Sequence, residues 1–227
     1  MKDAKATVKD LLRQQRYSEI LERLGEKRRT VRILRSILYE PESLLKWRAV
    51  SMFGWLARER PGLIASEVER LIWSLNDEAG SIGRGAAETL GEIAWNNARL
   101  VREGGAIVIH YIEDPETCRP PNRNPEILAG VLWAIGRIGN RQPEQVKDVL
   151  PTVWTFCEDP DSNVRGHAVW ALGQVDMTGS EGVLRKLTHD RGTARVYDKE
   201  EIRACTVGEL AAEALGKLKT KQTGHPT

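Results

Sequence analysis

The chain has 227 residues, 34 Lys+Arg against 32 Asp+Glu, and three cysteines at 118, 157 and 205. That length can bury a full core, in one large domain or two small ones. Cysteines so far apart, odd in number and never in Cys-x-x-Cys spacing argue against a disulfide framework or a zinc finger, and no apolar run approaches the ~20 residues that span a bilayer. The start Met-Lys-Asp-Ala-Lys lacks an apolar leader core, so a cytoplasmic protein is expected. The net charge of +2 hides an asymmetry: residues 1–60 hold 15 Lys/Arg against 8 Asp/Glu and are basic, whereas the remainder is acidic. A basic third favours an acidic partner, although such runs also serve as plain solvated helix faces.

In chain order, residues 4–14 and 17–24 read as two short helices with Gly25 as a C-cap, polar enough to cover the end of a stack. Residues 30–39 form an outer helix stopped by Glu40-Pro41, and Ser43 can cap a second helix through Leu56. Pro61 suits the first turn of a helix running to Leu75. Helices follow over 82–93 and 100–112, then a proline-rich loop over 113–125, then helices over 127–138, 143–157 and 161–175. A fifth pair begins at 182–188, is interrupted by a loop over 189–198, and resumes over 207–218 before a polar tail, 219–227, that reads as disordered.

Five of these helices carry one pattern. In Val164 to Val175 the apolar positions Val164, Ala168, Ala171, Leu172 and Val175 share a helix face, and Gly173 follows the Ala-Leu pair. The corresponding glycines are Gly54, Gly91, Gly136, Gly173 and Gly216, spaced by 37, 45, 37 and 43 residues. The two long steps contain the extra loops. Helix pairs of this period, burying their faces only against neighbours, define an all-α solenoid.

The Asp-Pro turn at 159–160, Val164-Arg165, Ala168 and Ala171-Leu172-Gly173 resemble the HEAT family, with weaker echoes over roughly residues 28–218. The 37-residue step and the Ala-Leu-Gly signature are similar to the shorter phycobilin-lyase-type repeats. Trp73 to Glu78 and Gly130 to Arg137 also resemble a bacterial group of HEAT proteins of unassigned activity. The family's repeat arginine stands in register only at Arg165; Lys46, Gly83, Leu128 and Gly208 replace it elsewhere. The resemblance implies a right-handed α-solenoid of about five helix pairs (about 28–59, 61–96, 99–140, 143–176 and 179–218) behind an N-terminal helical cap over 1–27.

In such a solenoid the second helix of each pair lines the concave side. Register then puts Trp47, Arg48, Arg84, Glu88, Glu92, Trp133, Arg137, His167 and Trp170 in the groove, with Trp133 and Trp170 as neighbours beside Gly85, Ala129, Gly130 and Gly166. Arg and Trp dominate interface energetics, which points to a scaffold or adaptor holding a protein or peptide segment there. The bland alternative packs both tryptophans between helices and pairs the charges with one another. A second function class is a nucleic-acid enzyme similar to HEAT-like DNA alkylation-repair glycosylases, with Glu88 or Glu92 beside Trp133; the acidic remainder of the chain weighs against it. A third, implied by repeat type alone, is a lyase or chaperone subunit for a tetrapyrrole protein. No histidine neighbours a glutamate in sequence and no Gly-x-Ser-x-Gly motif occurs, so no catalytic residue, metal or cofactor is expected.

Overall fold

The computed structural model describes residues 2–40, 43–75, 85–114, 118, 123–175 and 179–222. The chain divides into two compact units: Met1–Gly105 with Lys199–Glu201, and Ala106–Asp198 with Ile202–Thr227.

In the first unit α1 (Lys2–Arg13) and α2 (Tyr17–Leu24) pack on each other, and α1 also meets α3 (Arg28–Ile37) and α4 (Ser43–Glu59). Next come α5 (Pro61–Leu75) and α6 (Ala86–Asn96), both against α4. The core is the apolar stripe expected from the repeat: Leu45, Ala49, Met52, Phe53 and Leu56 of α4, with Leu90 and Ile93 of α6, are fully buried or nearly so. The second motif helix is expected from residue 82; its described part begins at Ala86, behind Gly85 in a left-handed conformation (φ +76°).

The outer helix expected over 100–112 is three pieces: a 3₁₀ turn at Ala98–Val101, α7 (Arg102–His110) and a second 3₁₀ turn at Tyr111–Glu113. The boundary between the units falls within α7.

In the second unit Asn124 caps α8 (Pro125–Arg141), its side chain accepting from the N–H groups of Glu126 (3.1 Å) and Ile127 (3.3 Å). The expected outer helix over 143–157 is broken into α9 (Pro143–Val146), α10 (Leu150–Thr155) and flanking 3₁₀ turns. Pro151 accounts for the break, since it lacks an N–H and is at home only in a first turn. Asp161 caps α11 (Ser162–Gln174) by accepting from Asn163 (2.8 Å) and Val164 (3.1 Å). Motif helices α8, α11 and α13 (Val207–Gln222) pack in succession, with α12 (Glu181–Leu187) against α13. Gly136 lets α8 approach α11 closely: a Cβ there would lie 2.8 Å from the Cα of Ala171 and from the ring of Trp170.

Two expectations need correction. The interruption of the fifth pair, read as a loop over 189–198, is a β-hairpin of β1 (Thr193–Asp198) and β2 (Glu201–Thr206). The tail expected to be disordered from 219 is helical to Gln222. Much of the loop over 113–125 lies outside the described residues. Among those described, no helix is long and apolar enough to cross a membrane.

Candidate functional site

The motif helices of the first unit carry charge on their candidate positions and satisfy it internally. Glu88 is 3 % exposed and receives Lys46 Nζ at 2.8 Å; that ammonium also stands 5.0 Å from the centre of the Trp47 ring. Glu92, also buried, accepts at Oε1 from Asn96 Nδ2 at 3.0 Å. Gly54 makes room for both side chains, since a Cβ there would sit 2.6 Å from each. Arg48 is 6 % exposed, and its guanidinium reaches Glu200 at 2.9 Å. Glu200 also accepts from the Tyr17 hydroxyl at 3.1 Å. Burial first, then the Glu200 carboxylate, raises the Tyr17 pKa above its ordinary value, so the phenol stays a donor. Trp47 is buried as well, and Arg84 lies outside the described residues.

In the second unit the expected neighbours do meet. The Trp133 and Trp170 rings stack 5.7 Å apart at an interplanar angle of 4°. Both are buried, and the half-buried Arg137 guanidinium lies 6.0 Å from the Trp133 ring. His167 is buried, its Nδ1 donating to the Asn163 carbonyl one turn earlier at 2.7 Å, which fixes the proton on Nδ1.

The residues that sequence reasoning missed are those of β1 and Ser162, at the helix end that holds it. Ser162 Oγ donates to the carbonyl of Thr193 (2.6 Å), Asn163 Oδ1 accepts from the N–H of Arg195 (2.9 Å), and Trp133 Nε1 donates to the carbonyl of Tyr197 (2.8 Å). Alternate residues of a strand present their N–H and C=O to one edge. Three helix side chains thus read successive positions along one edge of an extended chain. Side chains fix the register: Ala194 covers Gly166, where any Cβ would overlap it, and Tyr197 tilts against Trp133 at 6.5 Å. Val196 and Tyr197 are buried. The sequence signal was the alternation in Thr-Ala-Arg-Val-Tyr-Asp and Glu-Ile-Arg-Ala-Cys-Thr, obscured because Lys199-Glu200 is no standard hairpin turn pair. Both turn residues adopt positive φ (49° and 66°).

The base of the hairpin is clasped by Arg165. Its Nε and Nη2 meet the two Asp190 oxygens at 2.8 and 3.2 Å, while Nη1 donates to the carbonyl of Asp159 at 2.8 Å. Asp190 also accepts from the Gly192 N–H at 2.7 Å. The Arg165 hydrogen bonds hold the Asp190 carboxyl below its usual range, with burial opposing them. No group of three or more His, Cys, Asp or Glu suited to a metal occurs among the described residues.

In comparisons with known proteins, the HEAT repeats family profile matches residues 121–204. A search of curated proteins gives no match. Among solved structures, an engineered protein matches at 18 % identity with a TM-score of 0.56, covering 95 % of this chain and 90 % of that one. A designed armadillo repeat protein matches at 16 % identity and a TM-score of 0.53, with 94 % and 92 % covered. A computationally designed armadillo repeat protein for modular peptide recognition matches at 16 % identity and 0.53, with 95 % and 92 % covered. The fold is therefore that of an all-α repeat solenoid, and the likeness to HEAT repeats read from the sequence holds.

Proposed function

Taking a chain of HEAT-type repeats as the premise, we propose that it is a non-enzymatic protein-binding scaffold whose motif helices α8 and α11 hold an extended peptide segment by its main chain. One observation carries this: Ser162, Asn163 and Trp133 already bind alternate main-chain groups of β1. Such contacts accept many sequences, while the ledge over Gly166 asks for a small side chain and the Trp133 ring for an aromatic one. The structural neighbour designed for modular peptide recognition supports the same reading. In this reading β1 is the resident segment, and a partner strand of similar pattern competes with it for the helix face. Cys118, Cys157 and Cys205, all present as thiols, support a reducing, cytoplasmic location. The nucleic-acid enzyme gains no support: Glu88 and Glu92 are buried and engaged by Lys46 and Asn96, in a different unit from Trp133.

The test uses a labelled peptide with the sequence of residues 192–199. Ala194→Glu cannot seat against Gly166 and frees the face, so this variant is expected to bind the peptide at least tenfold more tightly than the parent protein, a difference of ~1.4 kcal/mol. Adding Asn163→Ala removes most of that gain. An Ala194→Glu protein with unchanged helical circular dichroism and no peptide binding would sink the proposal.

A further inference from the structure

A second surface lies in the first unit, on the helices that precede the motif helices. There α3 and α5 frame a crevice of about 460 Å³ lined by Arg35, Tyr39, Arg70, Trp73 and Ser74. Trp73 is 77 % exposed, against 6 % or less for Trp47, Trp133 and Trp170. Leaving an indole in water forgoes its burial, and an exposed aromatic ringed by polar residues marks an interaction site.

The charge around it is one-sided. Helix α3 carries Arg28, Arg29, Arg32 and Arg35 and no acidic residue. Arg28, Arg32, Arg35 and Tyr39 follow one another at four-, three- and four-residue spacing, a single stripe leading into the crevice. Glu67 neutralises part of it, pairing with Arg35 at 2.6 Å and standing 3.7 Å from Arg70. Arg28 and Arg32 are exposed and have no ion-pair partner among the described residues. Seven residues of helix place these guanidinium groups along roughly 10 Å, the span of about three extended peptide residues.

We infer that this crevice docks an acidic peptide segment of a partner protein, its apolar side chain seated against Trp73 and Tyr39 and its carboxylates paired with Arg28 and Arg32, the cations of the stripe that Glu67 does not engage. The geometry favours a peptide over a nucleic-acid strand. A phosphate backbone carries a charge on every nucleotide and requires cationic walls throughout, but the α5 wall carries Glu67 and Glu69 and only one cation, Arg70. A peptide can instead turn its carboxylates to α3 and its apolar side chain to Trp73 on α5. It favours a peptide over a lipid surface because Tyr39, Trp73 and Ile107 are the only exposed large hydrophobic residues among those described, too few for an apolar face. This site is separate from the strand-binding face proposed above, and neither inference depends on the other.

The experiment measures anisotropy of a short fluorescein-labelled Glu-rich peptide with one central phenylalanine, against a control in which each Glu is Lys. The wild-type protein is expected to bind the acidic peptide and ignore the basic one. Trp73→Ala and the double variant Arg28→Glu/Arg32→Glu are each expected to weaken binding about tenfold or more, as loss of an interface anchor does. All three altered positions are exposed, so the fold is expected to survive, and circular dichroism checks this. Absence of binding to the acidic peptide, or equal binding by wild type and both variants, overturns the inference. So does a finding that oligothymidylate or phosphatidylserine vesicles, and not the peptide, bind through these residues.

Discussion

The motif helices of the two units occupy the same register in the repeat and solve opposite problems. In the first unit α4 and α6 bury charged side chains, and each finds a partner side chain: Glu88 with Lys46, Glu92 with Asn96, Arg48 with Glu200. In the second, α8 and α11 bury the Trp133–Trp170 stack, and main chain covers it, with β1 meeting the indole N–H, Ser162 and Asn163. A buried charge must be neutralised by something at hydrogen-bond distance, so it fixes particular residues. A flat apolar stack needs only surface and a few polar contacts, so it accepts a strand. The repeat supplies the scaffold, and side-chain chemistry decides whether a face closes on itself or receives something else.

That contrast can be broken most forcefully at Trp133. Trp133→Ala is expected to cost ~3–5 kcal/mol, seen as a fall in the urea midpoint, whereas Trp133→Phe keeps the ring, loses the hydrogen bond to Tyr197 and costs about 1–2 kcal/mol. Equal losses for the two would mean that the bond, not the covered surface, holds the strand. In the first unit, Lys46→Ala leaves the buried Glu88 carboxylate without this cation, at about 2 kcal/mol. Being shielded from solvent, that loss is expected to differ little between low and high salt; a strong salt dependence would class the pair with exposed ones. The smallest effect concerns pH. Because Asp190 is held below its ordinary pKa, the stability that its pairing with Arg165 supplies is present above the usual Asp range. It is lost as pH falls through the depressed folded value, below about pH 4. Protection of the Gly192 and Gly208 amides, which close the hairpin base on Asp190, against hydrogen exchange is expected to fall in acid in the parent protein, each rate being taken relative to the intrinsic rate at the same pH. Asp190→Asn should show the lower protection already at neutral pH.

By itself the sequence determined the repeat. Its period and the apolar stripe of each motif helix follow from local helix geometry, which depends on residues three and four apart, and the adjacency of Trp133 and Trp170 follows from their equal register in successive repeats. Even the lone in-register arginine is visible there, though its purpose is not: Arg165 stands in the copy that must clasp Asp190 at the hairpin base. Only tertiary structure decided what each candidate side chain faces. The same motif glycine is a point of close packing at Gly136, while at Gly216 a Cβ would meet nothing within 4 Å. Trp73 and Trp133 are the same residue on amphipathic helices, one 77 % exposed and the other 2 %. The contact that covers Trp133 joins residues 64 positions apart in the chain. Short-range periodicity carries no information about that contact, because it exists only where the hairpin happens to return to the helix face.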